Sequence, residues 1–151
     1  MSVGAKERTG SGLEFLQRII AGETPGVPIG DTLGFRVTEV EKGSIVLAGK
    51  PDQRSYNLIG TVHGGWAASI LDSAMALATL SSLDEKTAFT TLDIRINYLR
   101  PITVELGELR AEGRVIQGGR KMAYCEGKLL DSAGKLLAHG TGTCLVFPRS
   151  A

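Results

Sequence analysis

One carboxylate, Asp72, stands in an otherwise uncharged stretch of 20 residues, 64–83, in a chain of 151. Ser69, Ser73, Thr79, Ser81 and Ser82 share the stretch, but no basic residue lies within a helical turn of Asp72. A carboxylate in apolar surroundings costs several kcal/mol unless it is paired or protonated. Two readings follow: a structural carboxylate that emerges at a solvent gap or caps another element's amides, or a reactive carboxylate in a pocket. His63-Gly64-Gly65 opens the same stretch. Two glycines at the first helical positions cost about 1 kcal/mol each in helix propensity. Either a tight loop-to-helix turn needs them for steric reasons, or their bare N–H groups, at the positive end of the helix dipole, receive an anion or a developing oxyanion. His63 alone reads as a hydrogen-bonded structural histidine or as a catalytic one.

The element that must carry both features is a helix over about 64–83. Trp66, Ala67, Ala68, Ile70, Leu71, Ala74, Met75, Leu77 and Ala78 occupy every face of it. A surface helix would show one apolar stripe, so a sheet must wrap this one, or another subunit must cover what the sheet leaves. A membrane span is disfavoured, because a carboxylate in mid-span costs roughly 2.5–3.5 kcal/mol. Upstream, Leu13, Leu16, Ile19 and Ile20 fall at helical spacing and Gly22 closes that helix. A loop follows at 24–28, then a hairpin over 33–40 and 44–48, then irregular chain over 52–60. From Thr87 the period falls to two, giving strands up to Tyr98, around 109–115, over 121–130 and over 135–147. On that parity Thr91 groups with Asp93 and Arg95, opposite Leu92, Ile94 and Ile96. The fold class is α+β, one long helix on a curved antiparallel sheet.

Composition narrows the function. Lys and Arg total 17 against 16 Asp and Glu, net +1, with no basic block, which excludes the phosphate-contact row of general nucleic-acid binders and disfavours membrane-surface binding. Hydrophobic residues are 42% and aromatics 5%, so the core is aliphatic. The 20 glycines call for many turns or close backbone approaches. Cys125 and Cys144 lack metal-ligand spacing and read as two free, buried thiols, so no metal is expected. Residues 1–10 contain no apolar segment behind their charges, and the expectation is a cytoplasmic protein. Glu39 and His139 read as structural.

The spacing Asn57-Leu-Ile-Gly-Thr-Val-His63-Gly-Gly, with Asp72 eight positions after Gly64, resembles the hotdog-fold acyl-CoA thioesterases, in particular the PaaI-like (phenylacetate-degradation) branch. Gly34-Phe35, Tyr98-Leu-Arg-Pro101, Gly118-Gly-Arg120 and a glycine-rich last strand extend the resemblance over about 31–147. It implies a hotdog domain at 31–148 behind an N-terminal helix and loop at 1–30, within one domain overall. It implies a homodimer, often a dimer of dimers. It further implies hydrolysis of aryl- or medium-chain acyl-CoA to the free acid and CoA, without cofactor. In that scheme the Gly64 N–H stabilises the oxyanion, and Asp72 of the partner chain acts as nucleophile or as general base on water. Asn57 orients the water or the carboxylate, and His63 positions the loop or contacts the thioester. Thr91 aligns with a hydroxyl position near the nucleophile, with Thr90 beside it. Gly65, Thr90, Arg120 and Lys121 complete the substrate contacts, the last two as candidates for CoA phosphates. The acyl pocket is expected between the central and first helices, with Leu13, Leu16 and Ile20 at its mouth. A hotdog dehydratase, which needs a histidine base, and a noncatalytic acyl-CoA binding module are the alternatives.

Spacing alone argues for the dimer. Gly64 and Asp72 are about 12 Å apart along one helix at 1.5 Å per residue. An oxyanion donor and an attacking group must both lie within about 3 Å of one carbonyl. Two antiparallel helices related by a twofold satisfy that and make two equivalent sites.

Overall fold

The computed structural model describes residues 8–150, so most of the segment 1–10 read for targeting lies outside the described residues. The order is α1 (Gly12–Ile20), α2 (Pro28–Leu33), β1 (Phe35–Glu41), β2 (Ser44–Gly49), α3 (Gly64–Ser81), β3 (Thr87–Tyr98), β4 (Leu109–Gly118), β5 (Met122–Leu130) and β6 (Leu136–Pro148). The six strands form one antiparallel sheet in the order β1-β2-β4-β5-β6-β3, which wraps α3 and leaves β1 and β3 as its edges. This is the α+β arrangement that the alternation and the helix apolar on every face imply. No helix among the described residues is long and apolar enough to cross a membrane.

Glycine lets the helix sit so close to the sheet. Gly113 on β4 pairs with Gly127 on β5, which pairs with Gly140 on β6, so three strands present a bare row to α3. A Cβ on Gly113 would lie 2.1 Å from the Ala74 carbonyl oxygen, and one on Gly127 would lie 3.1 Å from Leu71 Cδ2. Ile70, Leu71, Ala74 and Ala78 are consequently buried in one core with Ile45, Leu47, Leu109 and Leu129. Gly113→Ala forces main chain against main chain. The expected cost is about 3 kcal/mol, a fall of roughly 6–12 °C in melting temperature. A melting curve like that of the unaltered protein would contradict this packing.

The polar face of the sheet carries ion pairs within and between strands. Glu39 and Glu112 both bind Arg110, at 2.7 and 2.8 Å, and His139 Nε2 lies 3.5 Å from Glu126 Oε2. The structural reading of Glu39 and His139 fits these places.

Two expectations are corrected. The segment read as loop and early strand contains α2, which Pro28 starts at a position that needs no N–H and Gly34 ends at φ 77°. Six residues are too few for a period to show. The first helix does not border Asp72. Its Ser11–Glu14 capping box starts it where Gly12 N–H donates to the Leu83 carbonyl, and Leu16 is wholly buried. It packs on β1, the sheet edge opposite β3, and on α3, with Leu16 in the core while Ile20 is 41% exposed.

Candidate active site

The turn into α3 is built by its own side chains. Asn57 folds the loop before it: Oδ1 accepts from the Ile59 and Thr61 amides at 3.0 and 3.2 Å, and Nδ2 donates to Thr61 Oγ1 at 2.9 Å. One Nδ2 proton and Oδ1 thus hold the loop, and the second Nδ2 proton has no acceptor among the described residues. His63 caps the helix, with Nδ1 accepting the Gly65 N–H at 2.8 Å. A Cβ on Gly65 would come within 3.0 Å of that nitrogen, which gives the second glycine its steric reason. The first has one as well, because a Cβ on Gly64 would lie 2.9 Å from Tyr98 Cζ. The Tyr98 hydroxyl donates to the Gly64 carbonyl at 2.9 Å, tying the end of β3 to the start of α3. Both glycines thus satisfy the steric account, and the chemical one stays available: the Gly64 N–H has no acceptor among the described residues.

Asp72 is half-buried, and its Oδ1 accepts from Thr91 Oγ1 at 2.9 Å. The β3–β6 register explains how Thr91 reaches it. Thr91 pairs with Cys144 and Asp93 with Thr143, so Leu92 is an extra residue in a β-bulge. The bulge reverses the parity of the strand, and Thr91 points to the helix although the alternation beyond it assigns it to the other face. Thr90 points away and is exposed. Asp72 forms no ion pair among the described residues. Its stripe on α3, with Ala68, Ser69, Ser73 and Ala76, is only half covered by the sheet.

The chain therefore makes two groupings: His63, Gly64, Gly65 and Tyr98 at the helix start, and Asp72 with Thr91 two turns on. Arg120 belongs to neither. It lines a cavity of about 650 Å³ with Thr79, Leu83, Val115, Ile116 and Val146 at the far end of α3. Lys121 lies exposed in the same hairpin. Sequence reasoning passed over Tyr98 as a site neighbour, although its place at the end of the strand before Arg100-Pro101 was the available signal. Cys125 and Cys144 are free and buried, as the sequence reads them. No three His, Cys, Asp or Glu side chains among the described residues group as metal ligands.

Residues 59–138 match the family model of the thioesterase superfamily. The chain is 30% identical to acyl-coenzyme A thioesterase 13 of Homo sapiens over 103 residues, 67% of this chain and 71% of that one. Among solved structures, a phenylacetic acid degradation-related protein of Ralstonia eutropha is 30% identical with a TM-score of 0.78, covering 86% of this chain and 98% of its own. A mutant form of the phenylacetic acid degradation protein PaaI of Thermus thermophilus is 30% identical with a TM-score of 0.71, over 78% and 97%. With its matched region, its wrapped central helix and the carboxylate that this helix presents, the chain belongs to the thioesterase superfamily and is a thioester hydrolase of hotdog fold.

Proposed function

We propose that the protein hydrolyses acyl-CoA thioesters to the free acid and CoA at sites shared by two copies of the chain. The observation that carries this reading is Asp72. It is held on one oxygen by Thr91 and without an ion pair among the described residues, on a stripe of α3 that the sheet leaves half open. The Gly64 N–H of one chain polarises the thioester oxygen, and Asp72 of the other attacks the carbonyl or activates the water that does. Engagement of His63 as the helix cap favours hydrolysis over the dehydratase reading, which needs a free histidine base.

The surface around the site supports the pairing. Leu58 and Ile59 stand 106% and 84% exposed at the tip of the loop that Asn57 fixes, and Leu92 and Tyr98 on the edge strand β3, with Leu99 just past its end, are exposed. An apolar edge is what soluble monomers avoid. With the two α3 helices antiparallel, Arg120 of the chain that supplies Asp72 lies about 15 Å farther along that helix. That is on the outward side of the oxyanion turn, where a CoA phosphate would be met by a guanidinium. The resemblance to relatives named for acyl-coenzyme A and for phenylacetic acid degradation supports the substrate class.

A thiol-release assay over aryl-CoA and fatty acyl-CoA esters tests the reading. Turnover of at least one series is expected, and release from none would overturn it. Sedimentation at micromolar concentration should show a dimer or a dimer of dimers. A monomer that still hydrolyses thioesters would contradict the shared site.

A further inference from the structure

The turn that carries the open Gly64 N–H is held from outside its own segment by one side chain, Tyr98. The Tyr98 hydroxyl lies 2.9 Å from the Gly64 carbonyl oxygen, and because a carbonyl only accepts, the phenol is the donor. The N–H at the other end of the same peptide unit, on Gly65, goes to His63 Nδ1 at 2.8 Å. The Gly64–Gly65 peptide plane is therefore tied at both poles, at one by the histidine beside it and at the other by a strand residue 34 positions away. The peptide before it is anchored too, since His63 donates its N–H to the Ser55 carbonyl at 2.7 Å and accepts at its own carbonyl from the Trp66 N–H at 2.9 Å. Gly64 Cα joins these two planes.

Two successive glycines leave the backbone at the helix start unrestricted by any Cβ, in the turn where a helix has the fewest internal bonds. The Tyr98 ring stands in for the missing side chain: Cζ, Oη and Cε1 lie 2.9, 3.0 and 3.1 Å from where a Gly64 Cβ would sit. Its reach depends on the bulge in β3. Thr91 and Tyr98 are seven residues apart, an odd number, so in an unbroken strand they would face opposite sides of the sheet. Leu92 is the extra residue, and beyond it Ile96 and Tyr98 share the helix-facing side with Thr91: Ile96 Cδ1 lies 2.8 Å from where a Cβ on the helix-facing Gly140 would be. One strand thereby holds both reacting ends of α3, Asp72 through Thr91 and Gly64 through Tyr98.

We propose that Tyr98 is a positioning residue for the reaction: by holding the Gly64 carbonyl and standing where a side chain would, it fixes the Gly64–Gly65 peptide and with it the direction in which the adjoining Gly64 N–H meets the thioester oxygen. The proposal rests on the Gly64 N–H being the oxyanion donor. A donor aimed before the charge develops needs no reorganisation when the tetrahedral intermediate forms, so loosening it lowers kcat rather than raising KM.

Steady-state thiol release and melting curves on the unaltered protein, on Tyr98→Phe, Gly64→Ala and Thr91→Val, and on Tyr98→Phe combined with each of the last two, test this. Tyr98→Phe keeps the ring and removes the hydroxyl. It should lower kcat about tenfold, the worth of one hydrogen bond, with KM within about twofold and the melting temperature within a few degrees. In Gly64→Ala the added methyl already displaces the ring from the same carbonyl, so Tyr98→Phe should cost nothing further there. In Thr91→Val, which loses the hydroxyl at the other end of the stretch, the tenfold loss should recur in full. An unchanged kcat in Tyr98→Phe would overturn the proposal, whatever the melting temperature does. So would a loss confined to KM, which would make the phenol a substrate contact, or a tenfold loss that recurs in Gly64→Ala. Tyr98→Phe, alone and with Thr91→Val, decides the matter if Gly64→Ala does not fold. Turnover retained in Gly64→Val would instead remove the oxyanion role of Gly64 on which this reading stands.

Discussion

Asp72→Ala is expected to lower thioester turnover by about 10³-fold or more, the scale on which loss of an enzyme's nucleophile or base is felt, while the protein stays folded and keeps binding acyl-CoA. The expectation of a folded protein has a local basis. Asp72 is half-buried and accepts one hydrogen bond, from Thr91, with no ion pair among the described residues. Removing it deletes no core contact of the kind that Leu71 or Ala74 makes beside it. A half-buried carboxylate with one partner contributes about 1 kcal/mol, so the melting temperature should move by only a few degrees. Activity and stability should thus separate cleanly in this variant, and the opposite separation is expected of Gly113→Ala. A purified, folded Asp72→Ala protein that turns over within severalfold of the unaltered one would take Asp72 out of the mechanism. The assignment of Gly64 would fall with it.

The sequence disclosed the fold wherever a pattern was long. A run whose one charge is Asp72, with no break after Gly65, reads as a wrapped helix, and the alternation after Thr87 reads as strands. The glycine excess also had its meaning there, since Gly113, Gly127 and Gly140 occur at matching strand phases. Short or non-local features were hidden. A six-residue helix such as α2 has less than two turns in which to show a period. The bulge at Leu92 turns Thr91 onto the helix, and one inserted residue in a strand leaves no mark on either side of it. The part of the site most legible was the part made within one segment, from His63 to Asp72. What reaches it from elsewhere, Thr91 and Tyr98 from β3, depends on register, and register depends on the whole sheet.

Mixing two inactive chains should restore about one quarter of the unaltered activity, provided the subunits exchange. One partner is Asp72→Ala. The other needs a lesion at the oxyanion turn that leaves the helix standing, and Gly64→Val meets that need. Its side chain would crowd the Gly64 amide and push Tyr98, whose ring and hydroxyl lie 2.9–3.0 Å from where a Cβ would sit. Tyr98 is 54% exposed, so its side chain can swing away at the loss of its one hydrogen bond to the Gly64 carbonyl, whereas the His63 cap on the Gly65 N–H stays in place. In a mixed dimer one site receives both lesions and the other receives neither. Random exchange makes half the dimers mixed, each with one of two sites intact, and hence about a quarter of full activity. If exchange is demonstrated and the mixture stays inactive, Gly64 and Asp72 do not serve one substrate from two chains. The roughly 12 Å that separates them on a single α3 then means that one of the two does not touch the reacting carbonyl at all.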